Sequence, residues 1–118
     1  MSFHILMLVN MNEHSYKGGN MAIPSDKIID KMESLLNIAS DFTRLKIMYA
    51  LSTKESNVSE IVKEVGASQS LVSHQLSILR KANLVSTRKE GTCVYYSLAD
   101  DHVTKLLNVV YDHVLEDK

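Results

Sequence analysis

Between residues 58 and 98 the spacing of the apolar residues changes twice, and this stretch constrains the fold more than any other. Val58, Ile61, Val62 and Val65 recur at helical spacing and are stopped by Gly66. After Ala67-Ser68 a second helical run, 69–82, turns Leu71, Val72, Leu76 and Leu79 inward. The period then falls to two over 84–88 and 92–98, which are rich in Val, Thr and Tyr. Glu90-Gly91 between them has turn chemistry, so the pair reads as a β-hairpin.

The flanks are helical. Ser25, after Pro24, is placed to cap a helix carrying Ile28, Ile29, Met32, Leu35, Leu36 and Ala39. Asp41 is placed to cap another with Phe42, Leu45, Met48 and Leu51 on one face, before the polar stretch 52–57. A last helix starts near Asp100, and its Val103, Leu106, Leu107, Val110 and Val114 form a stripe wide enough to need burial against another helix. Two helices across a Gly-containing turn, then a hairpin with a basic tip, is the order of a winged helix-turn-helix. The expected class is mainly α with a β-hairpin wing.

At 118 residues the chain is one domain with a small core, and a partner chain would add to it. The organisation expected is a flexible N-terminal tail over 1–23 and a DNA-binding and dimerisation domain over 24–118. The apolar burst at 3–9 lacks the basic start and cleavage site of a secretory leader and is too short to span a membrane. A single cysteine, Cys93, excludes a disulfide framework or a Cys-rich zinc module and fits a reducing cytoplasm. Alone on a wing strand, it reads as a small strand residue rather than a redox switch.

Thirteen basic and 14 acidic side chains leave a formal charge of −1, unpromising for a nucleic-acid binder until the distribution is considered. From Gly66 to Lys89 there are four bases (Arg80, Lys81, Arg88, Lys89) and no acid. From Ala99 to Lys118 five acids face two lysines. The fourth helix has short polar outward residues (Ser68, Gln69, Ser70, Ser73, His74), then Ser77, Arg80 and Lys81. Such hydroxyls, amides and imidazoles suit close approach to base edges. Arg88 and Lys89 fall where a wing meets phosphates.

The run Ala67-Ser68-Gln69-Ser70-Leu71-Val72-Ser73-His74-Gln75-Leu76-Ser77-Ile78-Leu79-Arg80-Lys81-Ala82-Asn83-Leu84-Val85, followed by Glu90-Gly91 and Val94-Tyr95-Tyr96-Ser97-Leu98, resembles the ArsR/SmtB family of bacterial metal-sensing repressors. The resemblance spans about residues 25–118. It implies a homodimeric winged-helix repressor, joined through its terminal helices, that binds double-stranded operator DNA and releases it when an inducer binds. The matching base and groove contacts are Gln69, Ser70, Ser73 and His74.

The last helix contains Asp100, His102, His113 and Glu116 in a D-x-H-x10-H-x2-E pattern, a donor set suited to four-coordinate zinc. His102 and His113 are separated by about 16 Å along a continuous helix, so one chain cannot close a site. Two copies crossing antiparallel would bring Asp100 and His102 of one to His113 and Glu116 of the other, with the apolar stripe between them. Taken alone, these four read more readily as a solvated helix face than as ligands. The spacing resembles the C-terminal helix site of the family's zinc sensors, which implies metal ligation by all four.

The same resemblance implies that His113 couples the metal to a backbone carbonyl near Asn83, just after the reading helix. The Cys-x-Cys motif of thiolate sensors is missing: Val58-Ser59-Glu60-Ile61-Val62 stands there, which argues against arsenite, lead or cadmium sensing through that helix. Zn2+ is the expected metal, with Co2+, Ni2+ or Cd2+ at the C-terminal site left open. Some family members also recruit N-terminal histidines, here His4 and His14. The rival readings are a metal-independent winged-helix regulator sensing redox or sulfur species, a small zinc hydrolase, and a protein-interaction module. The four-ligand closed shell argues against the hydrolase.

Overall fold

The computed structural model describes residues 22–116. Nearly all of the tail expected over 1–23, with His4 and His14, lies outside the described residues. The element order is α1 (Asp26–Ala39), α2 (Phe42–Thr53), β1 (Ser56–Asn57), α3 (Val58–Val65), α4 (Gln69–Lys81), β2 (Val85–Glu90), β3 (Cys93–Leu98) and α5 (Asp101–Glu116). It is a winged helix-turn-helix, mainly helical with a small antiparallel wing. Among the described residues no helix is long and apolar enough to cross a membrane.

Local chemistry sets most boundaries. Ser25 Oγ accepts from the Ile28 amide (3.3 Å), Asp41 from Arg44 (3.0 Å) and Ser68 from Leu71 (3.2 Å), each satisfying an amide the first helical turn leaves unpaired. Asn57 and Glu60 form a reciprocal capping box on α3, and Gly66 ends that helix at φ 71° with its amide on the Val62 carbonyl. Helix α4 stops one residue before the expected Ala82, which is its C-cap. Asn83 is left-handed at φ 61°. Its amide bonds Arg80 O (3.0 Å) and that of Leu84 bonds Leu79 O (3.0 Å), the double bond of a Schellman end, with Leu79 and Leu84 both buried.

Strand β1 is the element that the sequence pattern did not reveal. Ser56 and Asn57 pair with Tyr96 and Tyr95, making a three-stranded sheet in the order β1-β3-β2. Two residues are too few to show a period of two. Only the approach of β3 makes them a strand.

The core lies between α2, α3, α4 and the sheet: Ile47, Ile61, Val72 and Leu76 have no exposed surface and Met48 almost none. Lys46 Nζ donates to the Val65 carbonyl (2.8 Å), closing the end of α3 against α2. Not every expected inward residue is inside. Phe42 is 77% exposed and Leu71 is exposed, whereas Ile47 and Gln75 are buried. The terminal helices are further from the expectation, because of the α1 stripe only Ala39 is buried, and α5 buries Val103 and Leu107 while Val110 and Val114 face outward. A groove of about 410 Å³ runs between α1, α2 and α5, lined by Leu36, Leu45, Tyr49, Leu106, Val110 and Val114 among others.

Candidate nucleic-acid interface and metal centre

Helix α4 displays Gln69, Ser70, Ser73, His74, Ser77, Arg80 and Lys81 to solvent while Val72, Leu76 and Leu79 face the core. The outward face therefore carries hydroxyl, amide and imidazole groups at its N-terminal half and cations at its C-terminal end. Gln75 belongs to the other face. Its Oε1 accepts from Arg44 Nη1 (2.6 Å), and Arg44 Nε donates to the Ile38 carbonyl (2.6 Å) at the end of α1. One guanidinium thus bridges α1 and the reading helix. Sequence reasoning missed this link, because the partners are 31 residues apart and only burial of an otherwise ordinary Gln reveals it.

On the wing, Arg88 is engaged within the chain. Its Nη2 and Nε meet Glu55 Oε1 and Oε2 at 2.9 and 3.1 Å, its Nη1 meets Glu90 Oε1 at 3.2 Å, and its guanidinium carbon sits 4.9 Å from the Tyr95 ring centroid. The fork on Glu55 is the strong bidentate type and joins the hairpin to the segment before β1. Hydrogen bonding to Arg88 holds the Glu55 carboxyl below its ordinary value, and the same bond raises the guanidinium further. Lys89, paired in register with Val94, is exposed. Cys93 opens β3 and accepts from Asn57 Nδ2 at 3.7 Å.

The four expected metal ligands sit at opposite ends of α5. Asp100 precedes the helix, and its Oδ1 accepts from the Val103 amide (3.2 Å) while standing 3.7 Å from His102 Nδ1. His113 and Glu116 lie in the last turns, exposed. Among the described residues no three His, Cys, Asp or Glu side chains of the single chain gather around one point. Nor does any hydrogen bond there join His113 to the Asn83 turn. The turn is instead tied to the start of α5, since the Ala99 amide donates to Leu84 O at 3.0 Å. Across the groove Tyr49 of α2 meets Tyr111 of α5 with ring centroids 5.4 Å apart, and burial, Tyr111 and Asp112 push its phenol pKa up.

Residues 41–87, from the cap of α2 through the helix-turn-helix to the first half of strand β2, match the family described as bacterial regulatory protein, arsR family. A transcriptional repressor SmtB homolog from Synechocystis sp. is 43% identical over 86 residues, 73% of this chain. The HTH-type transcriptional regulator NmtR from Mycobacterium tuberculosis is 33% identical over 102 residues, 85% of this chain and 85% of its own length. The chain belongs to the ArsR family. Its match spans 65% of the SmtB homolog, just under two thirds of that protein. Among solved structures, the homodimeric winged helix-turn-helix DNA-binding domain Mb0332 from Mycobacterium bovis superposes on this ArsR-family chain with a TM-score of 0.70 at 31% identity, covering 83% of this chain and 96% of that one. These relatives are transcriptional regulators, not enzymes.

Proposed function

We propose that this ArsR-family chain is a homodimeric transcriptional repressor that binds operator DNA through α4 and the wing, and releases it when a divalent metal, zinc first, is held at the dimer interface. The observation that carries the reading is the pair of terminal helices: Leu36, Val110 and Val114 line one groove, and Ile28 and Met32 beside it are exposed among the described residues. Covering such half-exposed Leu, Ile or Val side chains against a second copy would add to the small core of the single chain. The exposed Gln69, Ser70, Ser73 and His74 would then meet base edges on each half-site.

The donor set fits a four-coordinate cation shared between copies. Asp100 keeps one carboxylate oxygen beyond the one that caps Val103, His102 stands beside it, and His113 with Glu116 share a face three residues apart. When bound, such a cation would supply a cross-link between the two α5 helices. The chain's own residues carry the rest: the Ala99–Leu84 bond links the start of α5 to the Schellman end of α4, so a displacement of α5 reaches the reading helix. His113 is proposed as the coupling residue toward the Asn83 turn.

The test is a DNA-binding titration with and without zinc, with chelator added back. Zinc should weaken binding reversibly, and His113→Gln should bind DNA while losing that response. An absence of any zinc effect would favour the metal-independent regulator of redox or sulfur species.

A further inference from the structure

A second cation-lined feature lies away from the metal ligands. Between the C-terminal half of α4 and the middle of β3 is a cleft of about 310 Å³ lined by Ser73, Leu76, Ser77, Arg80, Lys81 and Tyr96. Ser73, Ser77 and Lys81 stand at i, i+4 and i+8 and so form one row along the helix, with Arg80 beside it and Leu76 as an apolar floor. The lining holds two cations and three hydroxyls and no carboxylate.

The two cations differ from Arg88 on the wing. Arg88 is held by Glu55 and Glu90, whereas the side chains of Arg80 and Lys81 make no ion pair or hydrogen bond among the described residues. Favourable alignment with the α4 dipole accounts for cations in a last helical turn. It does not account for a cleft beside them that carries hydroxyls on both walls, Ser73 and Ser77 from α4 and Tyr96 from β3. Cations and hydroxyls converging without an acid is the chemistry of a phosphodiester site. The location fits the same ligand: the cleft lies between α4, whose outward face carries the proposed base contacts, and β3 of the wing.

We propose that the cleft between α4 and β3 seats backbone phosphates of bound DNA on Arg80, Lys81 and the Ser77 and Tyr96 hydroxyls, while Arg88 braces the wing against Glu55 and does not contact DNA. The proposal rests on the DNA-binding reading and names the residues that set the register of that contact. It also reassigns the phosphate role expected of Arg88 from its place on the hairpin.

The test measures binding of the 118-residue chain to a random-sequence duplex across a potassium chloride series. Each neutralised phosphate adds about 0.9 to the slope of log K against log salt. The double variant Arg80→Gln/Lys81→Gln should lower that slope by about 2–4 for a dimer with two clefts and weaken binding by about 10–100-fold at 0.1 M salt. Arg80→Lys/Lys81→Arg should retain the slope, and thermal melts check that all variants fold. Arg88→Gln should leave the slope unchanged.

Wild-type slope and affinity in the double variant, or an equal loss of slope in Arg88→Gln, overturns the assignment while leaving DNA binding intact. If the wild type binds no duplex at any salt concentration, both readings fall. Phosphorus-31 line broadening of inorganic phosphate that disappears in the double variant, with DNA binding unchanged, would assign the cleft to free phosphate and overturn the proposal.

Discussion

The α2–α4 unit and the two terminal helices are written in the same amphipathic pattern, yet they place their apolar residues oppositely. In α4 the stripe of Val72, Leu76 and Leu79 is fully enclosed by α2, α3 and the sheet, whereas in α1 the stripe from Ile28 to Leu36 is largely exposed. A helical period shows that a face wants covering but not which surface covers it. The central unit supplies its own cover. The terminal helices supply a groove that the other described residues leave uncovered.

Paired truncations test that contrast most directly. Leu76→Ala, at a site with no exposed surface, should destabilise the fold by about 2–5 kcal/mol in a urea melt. Leu36→Ala, 50% exposed in the single chain, should cost about 1 kcal/mol or less in a monomer but should lower the concentration-dependent part of the melting temperature if α1 lies in a dimer interface. Equal losses at both sites, independent of protein concentration, would erase the distinction.

The junction between the two regions is next in size. Arg44→Ala would leave Gln75 Oε1 and the Ile38 carbonyl without their donor, at a cost of about 1–3 kcal/mol. Arg44→Ala in a Gln75→Leu background should cost less, because one of the stranded acceptors is gone; chemical denaturation of the double-mutant cycle reads the coupling.

A smaller effect is expected at the end of the reading helix. Asn83→Ala places a Cβ-bearing residue without a local side-chain hydrogen bond at φ 61°, costing about 1 kcal/mol, whereas Asn83→Gly should be neutral or slightly stabilising. Thermal melts of the two variants should therefore move in opposite directions or differ by several degrees. No difference would mean that the turn relaxes freely.

The smallest effect belongs to the wing brace, an exposed ion pair. Because the folded Glu55 carboxyl lies below its ordinary 4.5, the brace contributes in full above that value and is lost as pH falls through the lower folded value. Carboxyl chemical shifts followed from pH 6 to pH 2 should show Glu55 titrating late in wild type and at the ordinary value in Arg88→Gln.

Much of the architecture is legible along the chain because its signals are local. Caps at Ser25, Asp41 and Ser68, the Gly66 stop and the Glu90-Gly91 turn act within a few residues of themselves, and each marks an element boundary to within about one or two residues. The polar reading face follows from helical period alone. Charge runs are less informative: the hairpin showed two adjacent bases, but Arg88 faces a carboxylate 33 residues earlier, and the cleft cations were visible as residues without being visible as a site.

By itself, then, the sequence determined the helix-turn-helix with its wing and the exposed polar face of α4, since periodicity and capping are properties of neighbouring residues. Only the tertiary structure decided that two residues at Ser56–Asn57 become a strand and that Arg44 joins α1 to the reading helix. It also decided that Arg88 is held by Glu55 while Arg80 and Lys81 line a cleft with Tyr96 and have no side-chain partner among the described residues. Those outcomes depend on which distant segments meet, and hydrogen bonds and ion pairs across such contacts leave no periodic trace along the chain.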